Sequence, residues 1–441
     1  MNVGLFYVQP KRIAASNKDV AGGFGSVTDI GNSMRARIIQ RQKKQGDRLP
    51  LLSYALYSAI FRQHGHTVTF HENEIPIGKD LVVIHGSIID YKQEVAFAQK
   101  IKSHPENKNT RICFVGPFVT FYTEFFKAYG DTVIKGEPDH YFSNVDIHRF
   151  KDGIVTSETI KDLDILPFPD WSIFNVGAFS YSPLNTHTPF LTIQSSRGCP
   201  FSCSHYCPYT YYQGTKLRER SAENVATEIK DMKKRYGIKG LLFRDPLFGV
   251  NASNLETLCN ELAQLDVYWS CETRLDILSE ERLKMMRNSG LVSLNVGVES
   301  SNEESLRKFK RRGVKKDKQE EILSICDKLN IKVAAFYMLG LPTDTEQDVQ
   351  KTIAYSKRLN TFAAQYSISI PYPGTPYYEQ VKDTITTDDF EDFTTAKMVT
   401  QHKYLTSDQL QRLREYAYTS YYFRPRYAVK YLKYRILDAI S

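Results

Sequence analysis

No apolar run in this 441-residue sequence approaches the roughly 20 residues that cross a bilayer, so no membrane-spanning helix is expected. The opening stretch, MNVGLFYVQPKR, lacks a basic segment followed by an apolar one and a small-residue cleavage site. It does not read as a signal peptide, and a cytoplasmic location follows. Cysteine is scarce at 7 residues, and in a reducing compartment such thiols do not form a disulfide framework. An acidic excess is also missing. The net charge of +8 suits an anionic substrate, nucleic acid or a membrane surface. Two basic runs, KDMKKR and KFKRRGVKK, read as solvated helix faces. With 41% hydrophobic residues, the chain can build an ordinary globular core.

What is present is alternation. VGLFYV, TVTF, LVVIHG, RICFVG and TVIKG are strand-like runs separated by helical patterns such as LLSYALYSAIFRQHG and EVAFAQKIKSH. Strands alternating with helices predict a parallel sheet covered on both faces. Residues 10–49 break this rhythm with Gly, Ser and basic residues and read as a long loop. Residues 140–187, with DILPFPDWSIF, read as a linker. A second alternation then begins with FLTIQS, GLLFRD, VYWSC, VSLNVGV, KVAAFYML and AQYSISI. Its clearest helix spans 221–236. Ser221 is a plausible N-cap, Ala222, Val225, Ile229 and Met232 form a stripe, and Gly237 ends it. Six strand–helix units suit a partial barrel, with reactive groups at the C-terminal strand ends. The expected architecture is α/β. A Rossmann-like doubly wound sheet (1–139), the linker (140–187), a partial (β/α)6 barrel (188–380) and a small C-terminal helical extension (381–441) follow in order.

Three of the cysteines, Cys199, Cys203 and Cys207, lie in RGCPFSCSHYCPY, after the first strand of the second set. Their i, i+4, i+8 spacing fits one helix face, but Gly198, Pro200 and Pro208 argue for a loop. A loop with three thiolates can wrap an iron–sulfur cluster. A zinc site using His205 is the alternative, although its spacing lacks the usual knuckle pattern.

With these residues in view, the chain resembles the radical S-adenosylmethionine (radical SAM) enzymes, in the subgroup with an N-terminal cobalamin-binding-like domain. RGCPFSCSHYC resembles the family's cluster loop. LRERSAENVATEI, LLFRDPLFG, CETRLDILSEERLKMMRNSG, VSLNVGVESSNEESLRKFKR, FYMLGLPTDTEQDV and ISIPYPGTPYYE match its successive barrel units. YYFRPRYAVKYL is similar to its C-terminal helix. The usual loop is C-x3-C-x2-C, whereas here Ser204, His205 and Tyr206 fill the second gap. The resemblance implies a barrel of the TIM type, with Cys199, Cys203 and Cys207 binding a 4Fe–4S cluster that keeps one iron open for S-adenosylmethionine. Tyr206 would lie near the adenine, and Asp245, Arg274 and Glu299 would hold the same molecule at their strand ends. His205 reads as a solvent-facing bulge. One electron, from a donor such as flavodoxin or ferredoxin, would then split the sulfonium bond to give a 5′-deoxyadenosyl radical.

The N-terminal strings match the family's cobalamin domain, with Ser87, Gly116 and Gly136 along the phosphate and corrin edge. The D-x-H-x-x-G motif that supplies a histidine to cobalt is absent. The activity implied is methylation of an unactivated carbon in a natural product, lipid or sugar. Without cobalamin, a radical cyclase, isomerase or oxidase with a vestigial first domain is the alternative. An RNA-modifying or RNA-binding protein is the reading of another class, suggested by the aromatic and basic tail YAYTSYYFRPRYAVKYLKYR. Helical packing explains that tail better, with Tyr418, Tyr422, Val429 and Leu432 inward and Arg424, Arg426, Lys430 and Lys433 wet. No stable nucleic-acid partner is therefore expected. Cys113, Cys259, Cys271 and Cys326 are isolated and read as buried apolar residues.

Overall fold

The computed structural model describes residues 1–9, 18, 24–25 and 27–440. Its first half is a sheet of β1 (Asn2–Tyr7), β2 (Thr67–Glu72), β3 (Leu81–His85), β4 (Arg111–Val115), β5 (Thr132–Lys135) and β6 (Gly153–Thr156). Every pair is parallel, in the order β2-β1-β3-β4-β5-β6. Successive side chains of a strand point to opposite faces. Val3, Leu5 and Val83 thus enter one apolar layer with Leu56 and Ile60 of helix Leu52–Gln63. Phe6, Val82 and Ile84 enter the other with Val95 and Ala98 of helix Tyr91–Ser103. The order reverses between β1 and β3, and such a switch point opens a crevice at the C-terminal strand ends.

The second half is a parallel sheet of β7 (Phe190–Ile193), β8 (Gly240–Phe243), β9 (Tyr268–Thr273), β10 (Leu291–Glu299), β11 (Lys332–Leu339) and β12 (Ala363–Ile368). Its strands pair in chain order, as six consecutive units of an open barrel do. The helix expected at 221–236 is α2 (Ala222–Tyr236), with Ser221 Oγ accepting from Asn224 N and Gly237 at φ 62° closing it. A cap of this kind contributes about 1 kcal/mol. The four isolated cysteines are buried. Among the described residues, no helix is long and apolar enough to cross a membrane.

Three sequence expectations change. Residues 10–49 are not simply a loop, because α1 (Met34–Gly46) and a short ladder of Asp47–Arg48 with Ser180–Tyr181 lie within them. Only Ala36 and Ile39 of α1 are buried, too few to show as an apolar stripe. Residues 10–17, 19–23 and 26 of that stretch lie outside the described residues. The linker 140–187 gives up Gly153–Thr156, which pairs with β5 as the sixth strand of the first sheet. The tail folds as α3 (Ser407–Tyr422) and α4 (Pro425–Ile440). The Tyr418 and Tyr422 hydroxyls accept from the edge-strand amides of Tyr366 and Ala364, at 3.1 and 2.9 Å. Val429 and Leu432, however, face outward. Arg424 is bound to Asn360 and Lys430 is paired with Asp327, so neither is simply wet.

The two sheets are joined by buried charge. Glu137 and Asp139, just after β5, meet Arg197 and Arg218, which flank the cysteine loop. Arg218 Nη2 lies 2.5 Å from Glu137 Oε1, Arg197 Nη1 lies 2.5 Å from Asp139 Oδ2, and no side chain of the four exceeds 11% exposure. Ile160 N completes the Glu137 shell at 3.1 Å. Burial opposes ionisation of Glu137, but the two guanidiniums outweigh it and hold the carboxyl below its usual range. Removing one partner of such a group leaves an uncompensated buried charge. Glu137→Ala is expected to lower unfolding free energy by about 3 kcal/mol, measured by denaturant titration. A loss in the range of exposed pairs, below about 1 kcal/mol, would show that the network is not buried in solution.

Candidate functional site

The cysteine loop leaves β7 through a two-residue ladder, Ser196–Arg197 with Arg218–Glu219. Gly198 turns it at φ 83°, where a Cβ would lie 2.1 Å from Lys216 O, so only glycine fits. Residues Ser202–His205 form a 3-10 turn, and Cys207 caps a helix over Pro208–Gln213 with Pro208 in its first turn. The extra residue of the C-x3-C-x3-C spacing is thus taken up in a tight turn rather than in a bulge. His205 corrects the sequence expectation. It is buried, with its ring edge-on to Phe309 at 5.6 Å.

Local backbone bonds gather the three thiols. Cys207 N donates to Cys203 O at 3.0 Å, and Cys199 N to Gly214 O at 3.2 Å. The Cys199 and Cys207 thiols hydrogen-bond to the Cys203 sulfur. Those bonds, with Arg311 and Arg274 nearby, favour the Cys203 thiolate, while giving them up raises the thiols on either side. A trio that already shares protons toward one thiolate is the donor set a metal cluster requires, because metal binding displaces thiol protons.

Around the loop, Glu299 ends β10 at φ 70°, beside a register shift between Gly297 and Glu299. That left-handed conformation costs about 1–3 kcal/mol in a non-glycine residue. The Glu299 carboxylate pairs with Arg311 at 2.8 Å. Burial raises its pKa, Arg311 opposes that, and the Cys203 charge adds to it. Arg274 clasps Asp276 at 2.8 and 2.6 Å and lies 4.4 Å over the Phe201 ring. Tyr206 stacks on Phe309 at 4.8 Å. The cysteines, Tyr206, Arg274 and Glu299 therefore share one neighbourhood.

Asp245 sits at the root of the loop instead. Its carboxylate accepts from Ser195 N at 2.7 Å, from Ser196 Oγ at 2.9 Å and from Ser195 Oγ. Ser87, Gly116 and Gly136 lie apart, at the C-terminal edge of the first sheet. Ser87 is committed to Glu94, through its amide at 2.8 Å and its hydroxyl at 2.7 Å. Gly116 fits against the His85 ring, which a Cβ would meet at 2.7 Å. The Gly136 amide donates to Thr120 Oγ1 at 3.0 Å.

Arg311 was missed by sequence reasoning, which placed it in a solvated basic run. Instead its side chain is 10% exposed and pairs with Glu299, and its buried Nε has no hydrogen-bond partner among the described residues. The usable signal was its place, twelve residues beyond the acid that ends a strand. Glu272, also missed, points into the polar barrel interior, where burial pushes it up to about 7 against the pull of Arg244. Tyr181 and Asn295 bond there at 2.8 Å. Between the two sheets, a cavity of about 110 Å3 is lined by His85, Glu137, Gln194, Arg197, Tyr209 and Arg244, among others.

Residues 193–355 match the model of the Radical SAM superfamily. The chain is 27% identical over 349 residues to an uncharacterized methyltransferase of Pyrococcus horikoshii, covering 74% of this chain and 75% of that protein. It is 24% identical over 339 residues to the bacteriochlorophyllide d C-12(1)-methyltransferase of Chlorobaculum tepidum, with 76% and 72% covered. The fold is similar to that of the cobalamin-dependent S-adenosylmethionine radical enzyme OxsB, solved with aqua-cobalamin and S-adenosylmethionine bound. The TM-score is 0.64 at 15% identity, over 94% of this chain and 65% of that one.

The Asp245 carboxyl is pushed up to about 6 by burial, against the pull of its serine hydrogen bonds. Its proton is held more tightly in the folded chain than in the unfolded one. Stability therefore falls as pH climbs from about 4 to 6, by about 3 kcal/mol at most. Asp245→Asn, which stays neutral, is expected to flatten that part of the profile. Thermal unfolding at pH 4.5 and 6.5 checks this, since an unchanged slope would mean that Asp245 is ionised throughout.

Proposed function

We infer, from the membership of residues 193–355 in the Radical SAM superfamily, that this chain is a radical SAM enzyme and acts as a cobalamin-dependent methyltransferase. The observation that carries the reading is the placement of Cys199, Cys203 and Cys207 on one loop after the first barrel strand, closed by Cys207 N on Cys203 O and Cys199 N on Gly214 O, beside a buried guanidinium with an unpartnered Nε. When bound, a 4Fe–4S cluster supplies the electron that cleaves S-adenosylmethionine, and cobalamin supplies a carrier for the methyl group. Cys199, Cys203 and Cys207 would hold the cluster. Arg311, through its open Nε, and Glu299 complement the carboxylate and ammonium of S-adenosylmethionine. Arg274 braces the loop from above through Phe201 and Asp276. The Tyr206–Phe309 stack gives a flat apolar wall of the kind an adenine base packs on.

A cobalamin would bind at the C-terminal strand ends of the first sheet, where the switch point opens a crevice beside the cavity between the sheets. The walls of that cavity are His85 and Pro117 on one side and Tyr209, Tyr212 and Arg244 on the other. The likeness of fold to OxsB, solved with aqua-cobalamin bound, supports a cobalamin site in this chain. The relatives named as methyltransferases support the reaction class. A substrate would reach the barrel interior, where Glu272, Asn295 and Tyr181 offer polar anchors, and it is a small molecule or lipid. The electron donor is a small electron-carrier protein such as flavodoxin or ferredoxin.

Anaerobic reconstitution with iron, sulfide and hydroxocobalamin tests the proposal. Near-stoichiometric cobalt and a charge-transfer absorbance that disappears in Cys199→Ser, Cys203→Ser and Cys207→Ser are expected. Iron without cobalt would favour a cobalamin-independent cyclase or isomerase. Arg311→Met is expected to keep the iron content but raise the Kd for S-adenosylmethionine at least tenfold, about 1.4 kcal/mol, by equilibrium dialysis. Unchanged binding would remove Arg311 from the site.

A further inference from the structure

The last helix has two unlike faces. On one, Tyr434 is buried and donates to Ile331 O at 3.1 Å, while Asp438 pairs with Lys332 at 2.7 Å. On the other, Val429, Leu432 and Ile436 recur at helical spacing and are 71%, 60% and 52% exposed. Nothing described covers them. At 100° per residue, Arg426 lies on one flank of this stripe and Arg435 on the other. No described carboxylate pairs with either one. Asp438, the helix's only acid, is turned inward.

Helix α1 repeats the pattern. It holds five basic residues (Arg35, Arg37, Arg41, Lys43 and Lys44) and no acid. Its inward residues are Ala36 and Ile39, and opposite them Met34 and Ile38 are exposed. Helix α1 packs on α3, and its Arg35 lies 5.3 Å over the ring of Phe423 in the turn between α3 and α4.

We propose that α1 and α4 form a docking face for an anionic lipid bilayer, with the aliphatic stripe at headgroup depth and the arginines on the phosphates. Amphipathic helices with a basic margin bind membranes this way, and cations near an anionic leaflet strengthen that attraction. A nucleic acid would call for exposed flat rings. Here the outward stripe of α4 is branched aliphatic, the exposed rings of Tyr416 and Phe423 already carry Lys357 and Arg35 over their faces, and Tyr418, Tyr421 and Tyr434 are buried. A second copy of the chain would set cation against cation.

Cosedimentation with vesicles of phosphatidylcholine, alone or with phosphatidylglycerol, tests this on the full chain. The wild type is expected to bind the phosphatidylglycerol vesicles at least tenfold more tightly. The Val429→Ser, Leu432→Ser, Ile436→Ser triple variant and the Arg426→Gln, Arg435→Gln double variant should each lose at least tenfold, with melting temperatures unchanged. An Arg37→Gln, Arg41→Gln variant gives an independent check from the other helix and should weaken binding in the same direction. Equal affinity for both vesicle types would overturn the proposal, as would an apolar triple variant that binds like wild type. So would polyuridylate binding as tight as vesicle binding, or a dimer in sedimentation velocity that the triple variant dissolves.

Discussion

The molecule depends on a buried quartet of charge, in which Glu137 and Asp139 from the first sheet hold Arg197 and Arg218 from the ladder beneath the cysteine loop. Each arginine anchors one strand of the ladder, so the loop's base is fixed from a different sheet than the one it grows from. The desolvation cost of four buried ionic groups is large, and apolar packing would hold the sheets together as well. What the ions add is direction, because guanidinium and carboxylate lock in planar pairs.

That direction matters because the thiol trio itself has little to hold it. The loop is short of regular structure, and its internal bonds run through a 3-10 turn and a glycine. Its rigidity comes from outside. Asp245 ties Ser195 and Ser196 below it, Arg274 covers Phe201 above it, and His205 and Tyr206 pack on Phe309 at its side. The positive charges of Arg274 and Arg311 bias Cys203 toward the thiolate, so the chemistry of the loop is prepared by residues scattered over two further strand ends.

Much of this was legible in the sequence. All six barrel strands overlap the apolar runs FLTIQS, GLLFRD, VYWSC, VSLNVGV, KVAAFYML and AQYSISI, and the Ser221–Gly237 helix announces both of its caps. The cysteine spacing and the helix-breaking prolines pointed to a loop. Other features left weaker marks. Helix α1 buries two residues and is otherwise basic, so no periodicity betrays it. Strand Gly153–Thr156 is no shorter than three strands that were read, but it is partly exposed along its length and lacks the buried apolar run that marked them. His205 and Arg311 were read as solvent-facing because their neighbours are polar. Burial of a polar side chain is decided by partners distant in sequence, Phe309 for one and Glu299 for the other, and local composition does not report those. Val429 and Leu432 erred the other way, since an apolar residue on a helix carries no sign of whether anything covers it.

The ladder of Asp47–Arg48 with Ser180–Tyr181 has a consequence for how the chain acquires its shape. Six strands leave a barrel open between its first and last members. Tyr181 stacks on Phe190 at one margin, while Lys43 of α1 reaches Gln365 at the other. The gap is thus spanned by a segment that leaves the first sheet and returns to it. The barrel is completed by chain synthesised well before its own strands, so the two halves cannot mature independently. Excising the amino-terminal half would leave an unsealed wall rather than a free-standing catalytic unit.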